Sequence, residues 1–302
     1  MSKSKLKVLD LFSGIGGFSL GLERAGGFET VAFCEIEKSP QQVLNKHWPD
    51  VPIYEDVRTL DYDGTVDVIC GGFPCQDISI AGKGAGISGE KSGLWKEFKR
   101  NINKYRPKYS IIENVSALCG RGLEVVLQDL AEIGYDATWT MFDTKYSGKP
   151  QRRRRVYILA VRDGVPSEAD IFRFAERSTD EHRQEMAVID KSFEWNYPQG
   201  EGERKPFAFF TRQRSDQFAC TGLSSTLAKR DYKSYTDLIV EDDYIRRVTP
   251  QERLRLQGFP DDWMDGLNIP NMHKFICNGM STTVVENIGQ MLTKFNGESF
   301  AH

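Results

Sequence analysis

Short apolar runs recur through the first half of the chain, each followed by a turn and then by a segment with helical spacing. That alternation predicts successive βα units and a mostly parallel sheet. Lys5 to Phe12 reads as a buried strand, Ser13-Gly14-Ile15-Gly16-Gly17 as the turn leaving it, and Phe18, Leu20 and Leu22 as part of the next helix. Further strands are predicted at 30–36, 51–54, 66–70, 108–112, 135–142 and 156–161, with helices at 40–47, 94–105 and 123–133. From Arg162 to about Val240 the texture turns polar and aromatic, with little periodicity. Thr249-Pro250-Gln251-Glu252 then opens a helix with a capping box and proline at its first position. An amphipathic helix is predicted at 281–292. The expected fold class is α/β: a Rossmann-like domain on a mixed, mostly parallel sheet, plus a smaller irregular domain. Residues 1–163 with 272–302 are assigned to the first and 164–271 to the second.

Composition narrows the function classes. With 302 residues the chain exceeds one average domain. Its six cysteines lack paired spacing and its four histidines fall at no metal-ligand interval from them, so neither a disulfide framework nor a metal site is expected. Met1 to Lys5 runs into a segment broken by Asp10, too short for a signal peptide, and no long apolar run follows. A soluble, cytoplasmic protein with no membrane partner is expected. The net charge of −3 requires any polyanionic partner to meet a local basic face. Arg204, Lys205, Arg212, Arg214, Lys229, Arg230 and Lys233 supply such a local excess.

The candidate chemistry sits at the ends of predicted strands. Gly71-Gly72-Phe73-Pro74-Cys75-Gln76 delivers a cysteine on a tight turn, where open α/β sheets bind ligands, and Cys75 reads as a nucleophile. Gly82, Gly84, Gly86, Gly89 and Gly93 follow and suggest a lid. The turn after the first strand resembles a nucleotide entrance, yet it is neither the full dinucleotide fingerprint nor a Walker loop. Glu35 and Asp56 end the next two strands and, with that turn, outline an adenosine-sized pocket; the alternative for Glu35 is a solvated strand end. Glu113-Asn114-Val115 brings a carboxylate off another strand, to be weighed against a helix cap. Gln151-Arg152-Arg153-Arg154-Arg155 reads as a solvated basic run, yet on a strand Arg153 and Arg155 share one face and Arg152 and Arg154 the other, so one of the two pairs can point into a site.

In this order, Asp10 to Gly17, Gly71 to Gln76, Glu113 to Val115, Gln151 to Arg155 and Arg255-Leu256-Gln257-Gly258-Phe259-Pro260 resemble the ordered motifs of DNA cytosine-5 methyltransferases. The resemblance runs from residue 5 to about 294. It implies S-adenosylmethionine as methyl donor, held by Phe12, Gly14, Gly16, Gly17, Phe18, Glu35, Ile36, Asp56, Val57, Leu94 and Asn278. It implies Cys75 as nucleophile, Glu113 at N3 and the amine of cytosine, and Arg155, with Arg153, at the base. Segment 164–271 corresponds to a target-recognition domain whose end, Ser225-Thr226-Leu227, resembles the family's Thr-Leu element. Double-stranded DNA is the implied substrate, with Gln76, Ser79, Lys83, Lys91, Arg212, Arg214 and Thr226 as candidate contacts. A monomer acting beside a separate cognate restriction endonuclease is implied. Two positions depart from the family pattern: Cys277 stands before Asn278 where glycine is usual, and Lys91 where arginine is usual.

Two other functions compete. A tRNA-methylating relative would carry a Cys-Phe-Thr element, which the variable segment lacks. A catalytically silent DNA-binding protein of the same fold would not need Cys75, Glu113 and Arg155 together.

Overall fold

The computed structural model describes residues 4–74, 93–165, 208–211, 219–221, 223–227, 237–241 and 244–298. Strands β1 (Leu6–Leu11), β2 (Phe28–Cys34), β3 (Ile53–Tyr54), β4 (Val68–Gly72), β5 (Tyr109–Val115), β6 (Tyr135–Asp143) and β7 (Arg154–Arg162) form one sheet in the order β3-β2-β1-β4-β5-β7-β6. The first five run parallel, and β7 lies antiparallel between β5 and β6. Their sequences are apolar on both faces because helices cover both.

On one face, α3 (Leu94–Tyr105) and α4 (Leu123–Glu132) bury Trp95, Phe98, Ile102, Val126 and Leu130 against Leu9, Ile69, Ile112 and Ile158. On the other, α1 (Gly17–Ala25) and the last helix, α7 (Thr282–Glu298), enclose Phe18, Leu22, Val284, Val285 and Ile288 with Val8, Val68 and Ile111. Helix α2 (Lys38–His47) follows β2. Helix α5 (Pro250–Gln257) starts with the predicted capping box, Thr249 Oγ1 accepting from the Glu252 amide while Glu252 accepts from the Thr249 amide. Helix α6 (Ile269–Asn278) was not visible in the periodicity; Asn268 caps it, and proline stands in its first turn.

The stretch read as irregular holds a four-stranded antiparallel sheet among its described residues. Strands β8 (Ala208–Thr211), β9 (Ala219–Thr221), β10 (Asp237–Glu241) and β11 (Tyr244–Arg247) pair in the order β11-β10-β8-β9. Each is five residues or fewer, too short for a period-2 signal to rise above the polar background. A third apolar cluster joins Leu227, Ile239 and Val248 to Leu254, Trp263, Phe275 and Ile276, and reaches Ile15 and Val43 at the glycine turn and α2. Among the described residues, no helix is long and apolar enough to cross a membrane.

Candidate active site

The strand order reverses between β1 and β4, and in open α/β sheets the carboxyl ends of the strands flanking such a reversal border a ligand crevice. Leu11 pairs with Gly71 there, so the glycine turn after β1 and the segment leading to Cys75 after β4 emerge side by side. One strand further, Gly72 pairs with Glu113, and Val115 pairs with Arg155. Neighbouring strand ends thus collect groups distant in sequence.

Glu113 and Arg155 form an ion pair, Nε to Oε1, at 3.1 Å, with side chains 12% and 16% exposed. The carboxylate lies directly over Gly72: a Cβ there would stand 2.8 Å from Glu113 Oε2. Any side chain at 72 would oblige the Glu113 carboxylate to move, so the glycine leaves the acid room beside the chain that leads to Cys75. Asn114 adds a tether, its Nδ2 donating to the Phe73 carbonyl at 3.2 Å. Beneath the crevice an aromatic row runs from Phe12 through Phe98 and Trp95 to Phe73, with ring centroids 6.2, 5.8 and 5.4 Å apart. Trp95 is fixed by its indole N–H on Asp129 at 2.7 Å.

The glycine turn is shaped by left-handed residues, Gly14 at φ 54° and Gly16 at φ 82°, entered through Phe12 at φ 54°. For phenylalanine that conformation is strained, and such strain concentrates at functional sites. Below the turn Asp10 is fully buried, accepting from Ser19 Oγ at 2.9 Å and from the Ser19 backbone at the start of α1. Burial pushes its carboxyl up to about 8.

Glu35 is nearly buried, and both its oxygens receive backbone N–H groups, Gly14 on Oε2 and Glu37 on Oε1, each at 2.7 Å. Burial raises its carboxyl above the ordinary range, against the lowering effect of those bonds. Next to it Ile36 is 64% exposed, a large apolar side chain at the crevice mouth. Among the described residues a Cβ on Gly14 would meet nothing within 4 Å, so these leave space above the turn. Asp56 is engaged by Arg58, Nε at 2.9 Å and Nη2 at 2.7 Å, which holds its carboxyl below the ordinary value. Val57 is buried in the core, Leu94 is half-buried at the start of α3, and Asn278 is exposed at the end of α6.

Two expected site residues lie elsewhere. Phe18 is 4% exposed and packs in the cluster under α7, because its side chain falls on the sheet-facing side of α1; Phe12 is the aromatic at the crevice. Arg153 is 4% exposed, and its guanidinium donates to the carbonyls of Cys277 at 3.2 Å and Gly279 at 2.8 Å. It shares a face with Arg155 but reaches the chain around Asn278 instead of Glu113, and burial lowers its pKa to about 10. Cys277 fits where glycine is usual because it is buried in the third cluster, with its thiol on the Lys274 carbonyl at 3.0 Å. Thr226 donates to the Arg152 carbonyl at 2.9 Å, fastening its segment to the entry of β7. Cys75, Gln76, Ser79, Lys83, Lys91, Arg212 and Arg214 lie outside the described residues. Asn114 and Asp10 stood inside recognised motifs, but their roles became visible only with their tertiary partners.

The arrangement sets a preoriented carboxylate and an exposed apolar side chain beside the glycine turn, adjoining a carboxyl–guanidinium pair at the strand ends. Residues 6–294 match the family described as C-5 cytosine-specific DNA methylase. The Type II methyltransferase M2.BsuMI of Bacillus subtilis (strain 168) is 31% identical, over 97% of this chain and 76% of the relative. M.NgoBI of Neisseria gonorrhoeae, also a Type II methyltransferase, is 31% identical over 93% of this chain and 90% of the relative. In three dimensions the chain is similar to the S. pombe Dnmt2 methyltransferase, with a TM-score of 0.71 at 20% identity, covering 97% of this chain and 100% of the other. A putative DNA modification methyltransferase encoded within an E. coli prophage superposes at a TM-score of 0.65 and 20% identity, over 97% and 100% of the two chains. With motifs, sheet order and sequence similarity over nearly its whole length in agreement, the chain belongs to the C-5 cytosine-specific DNA methylase family.

Proposed function

We propose that Cys75, Glu113 and Arg155 carry the reaction of this DNA cytosine-5 methyltransferase on a cytosine turned out of a specific duplex sequence. The observation that supports it best is the Glu113–Arg155 pair packed over Gly72, three residues before Cys75.

The pocket fits S-adenosylmethionine. Glu35 is preoriented by the Gly14 and Glu37 amides and keeps lone pairs for ribose hydroxyls, Ile36 offers an apolar face to the adenine, and Gly14 leaves space for close approach. Phe12, Gly16, Gly17, Asp56, Val57, Leu94 and Asn278 complete the assignment, with Asp56 toward the adenine amine. When bound, the cofactor supplies an electrophilic methyl group to carbon 5 of the base.

Carbon 5 of cytosine is a weak nucleophile, and the chain's own residues correct that. The Cys75 thiolate bonds to carbon 6, and the displaced electron pair moves onto the ring. Glu113, which takes up a proton from solvent when the base binds, donates it at N3, where that charge collects, and Arg155 anchors the base beside it. Acid help of this kind is worth roughly 10²–10⁴-fold. Loss of the carbon 5 proton to water, with expulsion of the thiolate and return of the N3 proton to Glu113, restores the aromatic ring.

A base inside a duplex hides carbon 6, so the nucleotide must leave the stack, at a cost of about a few kcal/mol. Gln76, Ser79, Lys83, Lys91, Arg212, Arg214 and Thr226 are assigned to DNA contacts that offset it. Residues 164–271 are assigned to target recognition and the remainder to catalysis. The Type II names of the relatives support a restriction–modification context with a separate endonuclease; a cytoplasmic monomer is the state assigned to the chain in this reading.

The test is to incubate purified protein with S-adenosylmethionine and plasmid DNA and to map 5-methylcytosine by bisulfite sequencing. One short recognition sequence should be converted by the wild type and left unconverted by Cys75→Ser. Normal methylation by Cys75→Ser would overturn the mechanism; methylation of tRNA in a parallel reaction, with DNA untouched, would overturn the substrate.

A further inference from the structure

We propose that Trp263 is a positioning residue for the cofactor turn. It is 5% exposed, and its indole N–H donates to the Ile15 carbonyl at 2.9 Å, across 248 positions of sequence. Ile15 lies between the left-handed Gly14 and Gly16, so its carbonyl reports the peptide orientation that gives the turn its shape. The Gly14 amide is held from the other side by Glu35 Oε2, and the Gly16 amide by the Ser13 carbonyl at 2.9 Å. Trp263 thus holds the oxygen of the Ile15–Gly16 peptide whose N–H is bonded to Ser13, while Glu35 holds the Ser13–Gly14 peptide.

Its own placement is closely determined. The indole stacks on His47, centroids 3.6 Å apart and 6° from parallel, and meets Trp48 edge-on at 5.6 Å. His47 Nε2 donates to the Trp263 carbonyl at 2.8 Å, and Lys46 Nζ donates to the Asp262 carbonyl at 2.7 Å. Trp48 in turn packs against Gly16, where a Cβ would stand 2.6 Å from its ring. Helix α2 therefore grips the segment that carries Trp263, and the indole passes that constraint to the turn. Removing the donor leaves a buried carbonyl without this partner and leaves the Ile15–Gly16 peptide held through its Gly16 N–H, so the turn is less firmly set. A turn that must reorder on binding gives weaker affinity without altering chemistry once filled.

The inference rests on the reading that this turn holds S-adenosylmethionine. Calorimetry with S-adenosylmethionine, on wild type and on Trp263→Phe, which keeps a ring for His47 but lacks the N–H, is the primary measurement. The Kd should rise about fivefold to tenfold. Saturating turnover and the KM for DNA should stay within about twofold. Met264→Ala, in the same buried cluster but without a bond to the turn, should lower the melting temperature and leave the Kd unchanged. Unchanged affinity in Trp263→Phe, or a loss in Met264→Ala matching that in Trp263→Phe, would overturn the positioning role. Wild-type protein that binds no S-adenosylmethionine would overturn the cofactor assignment itself, and the positioning role with it.

Discussion

Gly72→Ala tests the site through a single methyl group. The Cβ would enter 2.8 Å from Glu113 Oε2 and 3.5 Å from the Glu113 carbonyl oxygen. The backbone at Gly72 is not in the left-handed region, so alanine brings no conformational strain of its own. The carboxylate must instead retreat by about half an ångström to reach an ordinary contact distance. Its partner is Arg155 Nε at 3.1 Å, in a pair with little solvent to fill a gap, so the shift misplaces both groups. Displacements of about 1 Å in a catalytic array cost on the order of 10²-fold in rate. The expected outcome is a fall of about 10–100-fold in the single-turnover rate, measured with a radiolabelled methyl donor on saturating DNA. Cofactor affinity by calorimetry should be unchanged, and stability should drop by no more than about 1 kcal/mol, since the moving group is a side-chain end. A single-turnover rate within twofold of wild type would refute the claim that the Glu113 position over Gly72 matters to the chemistry. An equal loss of stability and cofactor binding would show that the methyl group disturbs the sheet rather than the acid.

Two further outcomes follow from buried ionisable groups. Asp10 has a folded-state pKa of about 8 against an ordinary 3.8, so its contribution to stability is complete below pH 3.8 and is lost as pH rises through 8. Asp10→Asn removes that titration, and its stability relative to wild type should improve by about 1.4 kcal/mol per pH unit across pH 5–7.5 in urea unfolding; a constant difference across that range contradicts the buried neutral carboxyl. Arg153→Met should cost about 3 kcal/mol in the same assay, because the carbonyls of Cys277 and Gly279 lose their donors; undiminished stability with only turnover reduced would return Arg153 to the reacting groups.

Much of this protein was legible before folding because its signals are local. The parallel strands announced themselves as apolar runs, α3 matches its predicted range at Leu94–Tyr105, and the α5 capping box is written in four consecutive residues. Cys75, Glu113 and Arg155 could be nominated because each sits in a short motif, and strand ends in α/β sheets collect function. The second sheet escaped notice because its strands are short and pair across long gaps, a long-range property that no window detects.

Alternation along the arginine run limited the choices to two faces, but it could not separate Arg153 from Arg155 on one of them. What separates them is the neighbour each meets: Cys277 and Gly279 from the far end of the chain for one, Glu113 from the adjacent strand for the other. Phe12 and Phe18 divide likewise, one at the crevice and one beneath α7, although both flank the same glycine turn. By itself the sequence determined the βα units, the turn and the motifs, because periodicity and turn chemistry act between near neighbours. Only the tertiary structure decided which of those residues meet, because contacts such as Gly72 under Glu113 and Trp263 on Ile15 depend on sheet order and packing across the whole chain.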